Sequence, residues 1–336
     1  MSDPLPPIEA MSDALPPIEA VDTGTAGFAG AGGPDPPEVF TSAAELDDRL
    51  GETAAELGRM VQGFFDNGGT RAYVAGTLAA LEAVDEVALL CPLPEDSSEA
   101  IAQCDRRRDR VAILSLPGGL TTVEEVLAAR PREISASAAL HHPWVRAGGR
   151  LTPPGGHVAG LHAAGDAALR PAAVDLRGLD DPPLERALSS PEIAALVDGA
   201  VNSLRDLTRA GRGVRLWSAR TLDPSRDPEL RWLAPRRQML FLETSISRWL
   251  QGVVFEADAA LWARVQDAVH TFLFELWRAG ALSGRTPDEA FFARCDRTTM
   301  TQEDLDQGRL VCLIGVALLR PAEFAILRVG QWRPDP

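Results

Sequence analysis

The stretch that decides the fold is Glu86–Pro117, EVALLCPLPEDSSEAIAQCDRRRDRVAILSLP. EVALLCPL (86–93) is a continuous apolar run of strand length. A helix is predicted over about 97–109, and VAILSLP (111–117) is a second apolar run. Strands without polar alternation belong to sheets covered on both faces, which are typically parallel. Strand–helix–strand in this order therefore predicts a buried α/β sheet.

Toward the N-terminus, RAYVAG (71–76) reads as a further short strand. It follows a helix over 52–65 that stops at FFDNGG, with glycine just past the last turn. TSAAELDDRLG (41–51) reads as a capped helix: Thr41 or Ser42 can accept from the free first-turn amides, and Glu45 stands three residues after Ser42. Residues 1–20 are a decapeptide written twice, MSDPLPPIEA and MSDALPPIEA, and 21–40 add glycine and proline. Such a front predicts an extended arm over 1–40.

Toward the C-terminus, 136–183 is rich in loop-forming residues. A helix is predicted over 191–209 and a strand over 213–221. From Arg236 the character changes to long amphipathic helices. In the one over 258–279, Trp262, Val265, Val269, Phe272, Leu273, Leu276 and Trp277 recur at helical spacing, a core stripe. Two strands hinged at Pro321 end the chain. In the second, Phe324, Ile326 and Arg328 alternate with Ala325, Leu327 and Val329. Both faces are substantially apolar, which is costly for a strand left unpaired.

Composition narrows the function. The 336 residues carry 33 basic and 48 acidic side chains, a net charge of −15, and every basic residue is arginine. Without lysine there is neither a Schiff-base amine nor a P-loop. The acidic balance argues against nucleic acid as a partner. Residues 1–60 hold twelve acids and two arginines, so they carry −10 of the charge. The four cysteines show no C-x-x-C spacing and read as core residues in a reducing cytoplasm. The opening has no signal-peptide pattern, no run is long enough to span a membrane, and no membrane binding is expected.

Candidate chemistry is thin. His141, His142, His157 and His162 cluster in sequence, but HH-x14-H-x4-H lacks the short ligand pairs of a zinc site, and no H-E-x-x-H occurs. LPGGLTT (116–122) leaves a strand with two glycines but lacks G-x-G-x-x-G. There is no G-x-S-x-G elbow. No catalytic residue, metal ligand or cofactor is assigned.

Several phrases resemble those of contractile tail sheath proteins, the family of contractile phage tails, tailocins and phage-tail-like injection systems. They are PPIEAVDTGTAGFAG (16–30), FFDNGGTRAYVAG (64–76), HHPW (141–144) with PPGGHVAG (153–160), and GRGVRLWSARTL (211–222). RRQMLFLETSISRWLQGVVFE (236–256), LWARV (261–265), FLFELWRAGALSG (272–284) and FFARCDRTTM through RVGQ (291–331) continue it almost unbroken.

The resemblance implies a non-enzymatic, two-part sheath-subunit fold, α/β and α+β, with extended N- and C-terminal arms that donate strands to neighbouring subunits. The parts would be an acidic Pro-rich arm (1–40), an α/β domain (41–225) and a C-terminal α+β domain with a terminal strand arm (226–336). Six-membered rings would stack helically around an inner tube protein, between baseplate and terminator proteins, after assembly in the cytoplasm. Contraction would then drive the tube through a target envelope. Phe324, Ile326 and Arg328 would lie in the donated C-terminal strand. Pro17, Ile18 and Glu19 would lie in the N-terminal arm, where a duplicated decapeptide replaces the family's Pro-Gly-Val-Tyr phrase. GTLAALEAVDEVALL (76–90) leaves no room for an outward-facing domain. Competing readings are a paralogue confined to one end of the sheath, a metal-dependent enzyme using the histidines, and an acidic module that docks a basic partner.

Overall fold

The computed structural model describes residues 15–165, 174–253, 259–307 and 309–331. They divide into two units, Val21–Leu242 and Met1–Ala20 with Glu243–Pro336. Most of the repeated decapeptide, residues 1–14, lies outside the described residues.

The first unit is built on one eight-stranded sheet. Its strands are β1 (Ala26–Ala29), β2 (Glu38–Phe40), β3 (Ala72–Ala75), β4 (Leu89–Pro92), β5 (Val111–Ser115), β6 (Ala138–His142), β9 (Val201–Asp206) and β10 (Val214–Leu216), with a separate hairpin of β7 (Val145–Ala147) and β8 (Arg150–Thr152). The order is β10-β9-β6-β5-β4-β1-β3-β2. The interior pairs are parallel, while β2 and β10 close the two edges antiparallel.

Helices cover both faces. The first core gathers Phe28, Met60, Phe64, Ile113 and Val158 beneath α2 (Ala55–Asp66) and α6 (Gly155–Ala164). The second gathers Leu81, Leu90, Ile101, Leu114 and Leu196 beneath α3 (Leu78–Glu82), α4 (Ser97–Arg107), α5 (Val123–Ala128) and α7 (Ser190–Asp198). Double coverage is why β4, β5 and β6 are buried at every residue.

Local signals fix the helix ends. Thr122 with Glu125, and Ser189 with Glu192, form reciprocal capping boxes on α5 and α7. α2 stops where Gly68 turns left-handed at φ 100° and the Gly69 amide reaches back to the Phe64 carbonyl at 3.0 Å. At Thr41–Arg49 the expected cap is inverted. Neither Thr41 nor Ser42 caps; Glu45 instead accepts from the Thr41 amide at 3.0 Å and from the Thr41 hydroxyl at 2.8 Å. The segment is a 3-10 turn, Ala43–Glu45, leading into α1 (Leu46–Arg49).

Three sequence readings change. Residues 21–40 are not arm: β1 is wholly buried between β3 and β4. Ala-Gly-Phe-Ala fits there because a Cβ on Gly27 would sit 3.0 Å from Val87 and 3.1 Å from Leu81. Its small residues, which imitate a loop by composition, are what the sheet interior requires. Residues 138–164 are not loop but β6, the β7–β8 hairpin and α6. The helix expected over 191–209 ends at Asp198, and Val201–Asp206 become β9 through a left-handed Ala200, φ 58°.

The second unit holds α10 (Ala259–Arg278) and a three-stranded antiparallel sheet, β11 (Phe291–Arg294), β12 (Leu310–Val316) and β13 (Ala325–Gln331). Helix α9 (Leu233–Gln251) contains the division between the units; α8 (Pro228–Arg231) precedes it. Short helices α11 (Pro287–Ala290) and α12 (Gln302–Asp306) flank β11 and β12. On α10 Val265, Val269, Phe272 and Leu273 of the stripe read from the sequence are buried, together with Leu261, whereas Trp262, Leu276 and Trp277 are half-buried. No helix among the described residues is long and apolar enough to cross a membrane.

Candidate functional site

Two places concentrate the residues singled out by the sequence. The first is the crossing of α2 and α6, where PPGGHVAG lies. Gly155 donates its amide to Ser115 Oγ at 3.0 Å, which pins the start of α6 to the end of β5. Gly156 and Gly160, one turn apart, then face α2. A Cβ on Gly156 would lie 1.9 Å from the Met60 carbonyl oxygen, and one on Gly160 would lie 2.4 Å from that of Phe64. From the other side, a Cβ on Gly63 would overlap the His157 ring at 2.3 Å. The two helices thus touch backbone to backbone. The G-x-x-x-G spacing carried this signal, and residue-type reasoning about histidine missed it.

The histidines are structural neighbours of that crossing. His141 and His142 sit on β6, His157 and His162 on α6, and all four are buried. His141 Nδ1 pairs with the Leu114 carbonyl at 3.1 Å. The ring nitrogens of His142, His157 and His162 have no hydrogen-bond partner among the described residues. Burial pushes His141, His142 and His157 down to about 4 and His162 well below its ordinary value, so the rings are neutral. Among the described residues no group of three or more His, Cys, Asp or Glu could hold a metal ion.

LPGG is equally committed to packing. Gly118 lies under the Trp144 ring, and the Gly119 amide is already bonded to Glu185 Oε1 at 2.6 Å. An anion would have to displace a carboxylate there.

The second place is the C-terminal sheet. Its register puts Phe291, Val316 and Ala325 in one row and Ala293, Ile314 and Leu327 in another on the inner face. The outer face carries Phe292, Gly315 and Ile326, then Arg294, Leu313 and Arg328. Gly315 is required because a Cβ would meet Phe292 at 2.1 Å. Phe324 packs edge-on against Phe292, with centroids 5.3 Å apart. Ile326 is 52% exposed, and Arg328 is exposed beside it. Phe324, Ile326 and Arg328 therefore share an apolar and cationic outer surface, while Ala325, Leu327 and Val329 are buried.

This corrects the expectation of a strand with two apolar faces and no partner at home. β13 pairs with β12 of its own chain over seven residues. Among the described residues the outer edges of β11 and β13 have no further partner strand. The N-terminal candidates lie in the same unit. Ile18 is buried, Pro17 and Glu19 are exposed, and the Pro16 carbonyl accepts from Trp249 Nε1 at 2.8 Å.

This combination, a doubly covered, mostly parallel sheet with a small antiparallel sheet and paired helices, is the fold of sheath proteins. Over all of this chain and 98% of the other, it matches the sheath of an extracellular contractile injection system, PVC, in its contracted state, with a TM-score of 0.82 and 26% identity. The helical sheath of the anti-feeding prophage, also contracted, matches over the full length of both chains at 0.75 and 25%. A sheath tail protein from Desulfitobacterium hafniense shares the fold at 0.70 with 10% identity, covering 97% of this chain and all of that one. No family model and no curated protein matches. Over its full length the chain is thus similar to the sheath proteins of contractile injection systems and has their fold.

Proposed function

We propose that the chain is the repeating subunit of a contractile sheath in an extracellular, phage-tail-like particle. Full-length likeness to two contracted sheaths carries this reading. Copies stack as six-membered rings around an inner tube, ending at a baseplate and a terminator, and contraction drives the tube through a target envelope. The role is structural. The work comes from exchanging one packing of subunits for another, with no reaction catalysed by this chain.

In this reading the chain has arms over its first twenty residues and at its C-terminus, a body that begins at Val21 and runs to 225, and a C-terminal domain over 226–336. The C-terminal domain faces the tube, and arm strands from neighbours add to the open edges of β11 and β13. An exposed edge is a template for such addition. Pro17, Ile18 and Glu19 on one arm, and Phe324, Ile326 and Arg328 around the other, lie where neighbours meet.

Negative-stain microscopy of the chain expressed with its neighbouring genes tests the proposal. Hollow cylinders with label on this chain along their whole length are expected. Absence of cylinders, or label at one end only, would reject the repeating-subunit role.

A narrower test uses Ile326→Lys. Its side chain is half exposed, so melting should stay close to the parent's, within about 0.5 kcal/mol. Assembly into long cylinders should fail. Normal cylinders from the variant would remove the outer face of β13 from the interface.

A further inference from the structure

The hexapeptide LPPIEA occurs twice, at Leu5–Ala10 and Leu15–Ala20. The second occurrence shows how it is recognised. An indole N–H, that of Trp249, donates to the carbonyl of the first proline of the pair (Pro16), and the isoleucine, Ile18, is buried. The first occurrence repeats the same residues and so presents the same groups to an indole.

The unit Val21–Leu242 offers one. Between α7, β9 and β10 lies a groove of about 460 Å³, lined by Ile193, Val197, Asp198, Arg205, Trp217 and Trp232. Trp217 is 49% exposed and Trp232 37%, among the largest exposed apolar side chains of the described residues. Neither indole nitrogen makes a hydrogen bond among those residues. Arg205 stacks over Trp217 at 4.2 Å and Arg231 over Trp232 at 5.8 Å. Flat aromatic rings with free N–H donors are the usual receptors for proline-rich, preformed extended segments. Charge fits as well: the first decapeptide carries Asp3 and Glu9 and no cation, whereas Arg205 lines the groove beside Asp198 and Arg231 stacks on Trp232 at its wall.

We infer that the first decapeptide of one copy docks in the Trp217–Trp232 groove of a second copy. Pro4, Pro6 and Pro7 have no amide hydrogens, so this segment cannot join a sheet as an ordinary donated strand. Polyproline docking gives it a different way to link copies. Each chain supplies one decapeptide and one groove, so the contact is head-to-tail and can run through any number of copies. The inference goes beyond the sheath reading, and its binding test does not require a sheath to form.

The test uses full-length chains. In the receptor, Pro4→Ala, Pro6→Ala and Pro7→Ala leave the groove empty, and fluorescently labelled MSDPLPPIEA is titrated in by anisotropy. Saturable binding is expected, weakened at least tenfold by Trp217→Ala and by Arg205→Glu in receptors whose melting is unchanged. A scrambled peptide should not bind. No saturable binding, or equal binding of the scrambled peptide, overturns the inference.

Mixing the triple-proline variant with a Trp217→Ala/Trp232→Ala chain then identifies the source of the occupant. One chain has only the groove and the other only the decapeptide. Cross-linked pairs of unlike chains, absent from either alone, support docking between copies. Peptide binding without such pairs overturns the second-copy assignment in favour of the chain's own decapeptide.

Discussion

Gly156→Ala is expected to lower the melting temperature by about 10 °C, and Gly156→Val to prevent soluble expression. The added Cβ would lie 1.9 Å from the Met60 carbonyl oxygen and 2.6 Å from its carbon. Backbone on both sides leaves nothing that can rotate away, so α6 must lift off α2. Lifting it opens the layer held by Met60, Phe64, Val158 and Ala159, all fully buried. Overpacking and loss of close contact together cost about 3–5 kcal/mol, and in a unit the size of Val21–Leu242 each kcal/mol shifts melting by about 2–4 °C. A matched control sits on α2 itself. Gly58→Ala would meet only the Leu50 side chain at 3.9 Å, so relief of glycine's helix penalty should raise stability by about 0.5–1 kcal/mol. Opposite signs for the two substitutions in a calorimetric scan are the expected result. A Gly156→Ala protein that melts with its parent would show that the helices do not touch as described.

The second large effect is with pH. His141, His142 and His157 are held down to about 4, and His162 well below its ordinary value, by removal from water. Arg186 adds to the effect at His142 and Arg237 at His162, since each disfavours a second positive charge. In the unfolded chain these rings titrate near 6.5. Between those values the unfolded state binds more protons, so stability is full above about pH 6.5 and falls as pH drops toward 4. At pH 5 each of the first three histidines should cost about 2 kcal/mol, an upper figure that water entry would reduce. Their sum approaches the whole stability of a typical domain.

The paired carboxylates act later in the titration. Glu45 is held down to about 2, chiefly by hydrogen bonds from Thr41, and Glu125, Glu192 and Asp304 are also lowered by hydrogen bonds at their helix starts. Their contribution is lost only below about pH 4.5. Denaturant titrations from pH 7 down to about pH 2 should therefore show two phases, the histidine phase first. Unchanged stability from pH 7 to 5 would mean that the rings are charged or solvated in the folded chain.

The strand–helix–strand centred on β4, α4 and β5 was legible because its apolar runs and helix stops are local. The stripe on α10 was legible for the same reason. β1 was not, because Ala-Gly-Phe-Ala has neither alternation nor β-branching. Its burial comes from Val87, Leu81 and two flanking strands distant in sequence. β6 was hidden by His-His, polar residues that a sheet covered on both sides keeps neutral. The alternation along β13 is legible in the sequence, but its pairing with β12 is not. One strand pattern fits a partner from the same chain or from another, and only the register with β12 distinguishes them.

The sequence by itself thus determined the α/β class, the amphipathic helices of the last third and, through long ordered phrases, the resemblance to sheath proteins. These are properties of local pattern. The tertiary structure decided that the arm reading stops near residue 20, that four histidines are core, that glycines at one helix crossing carry the packing, and that β13 is paired at home. Each depends on atoms brought together from far along the chain, where burial and van der Waals contact overrule what a residue type suggests in isolation.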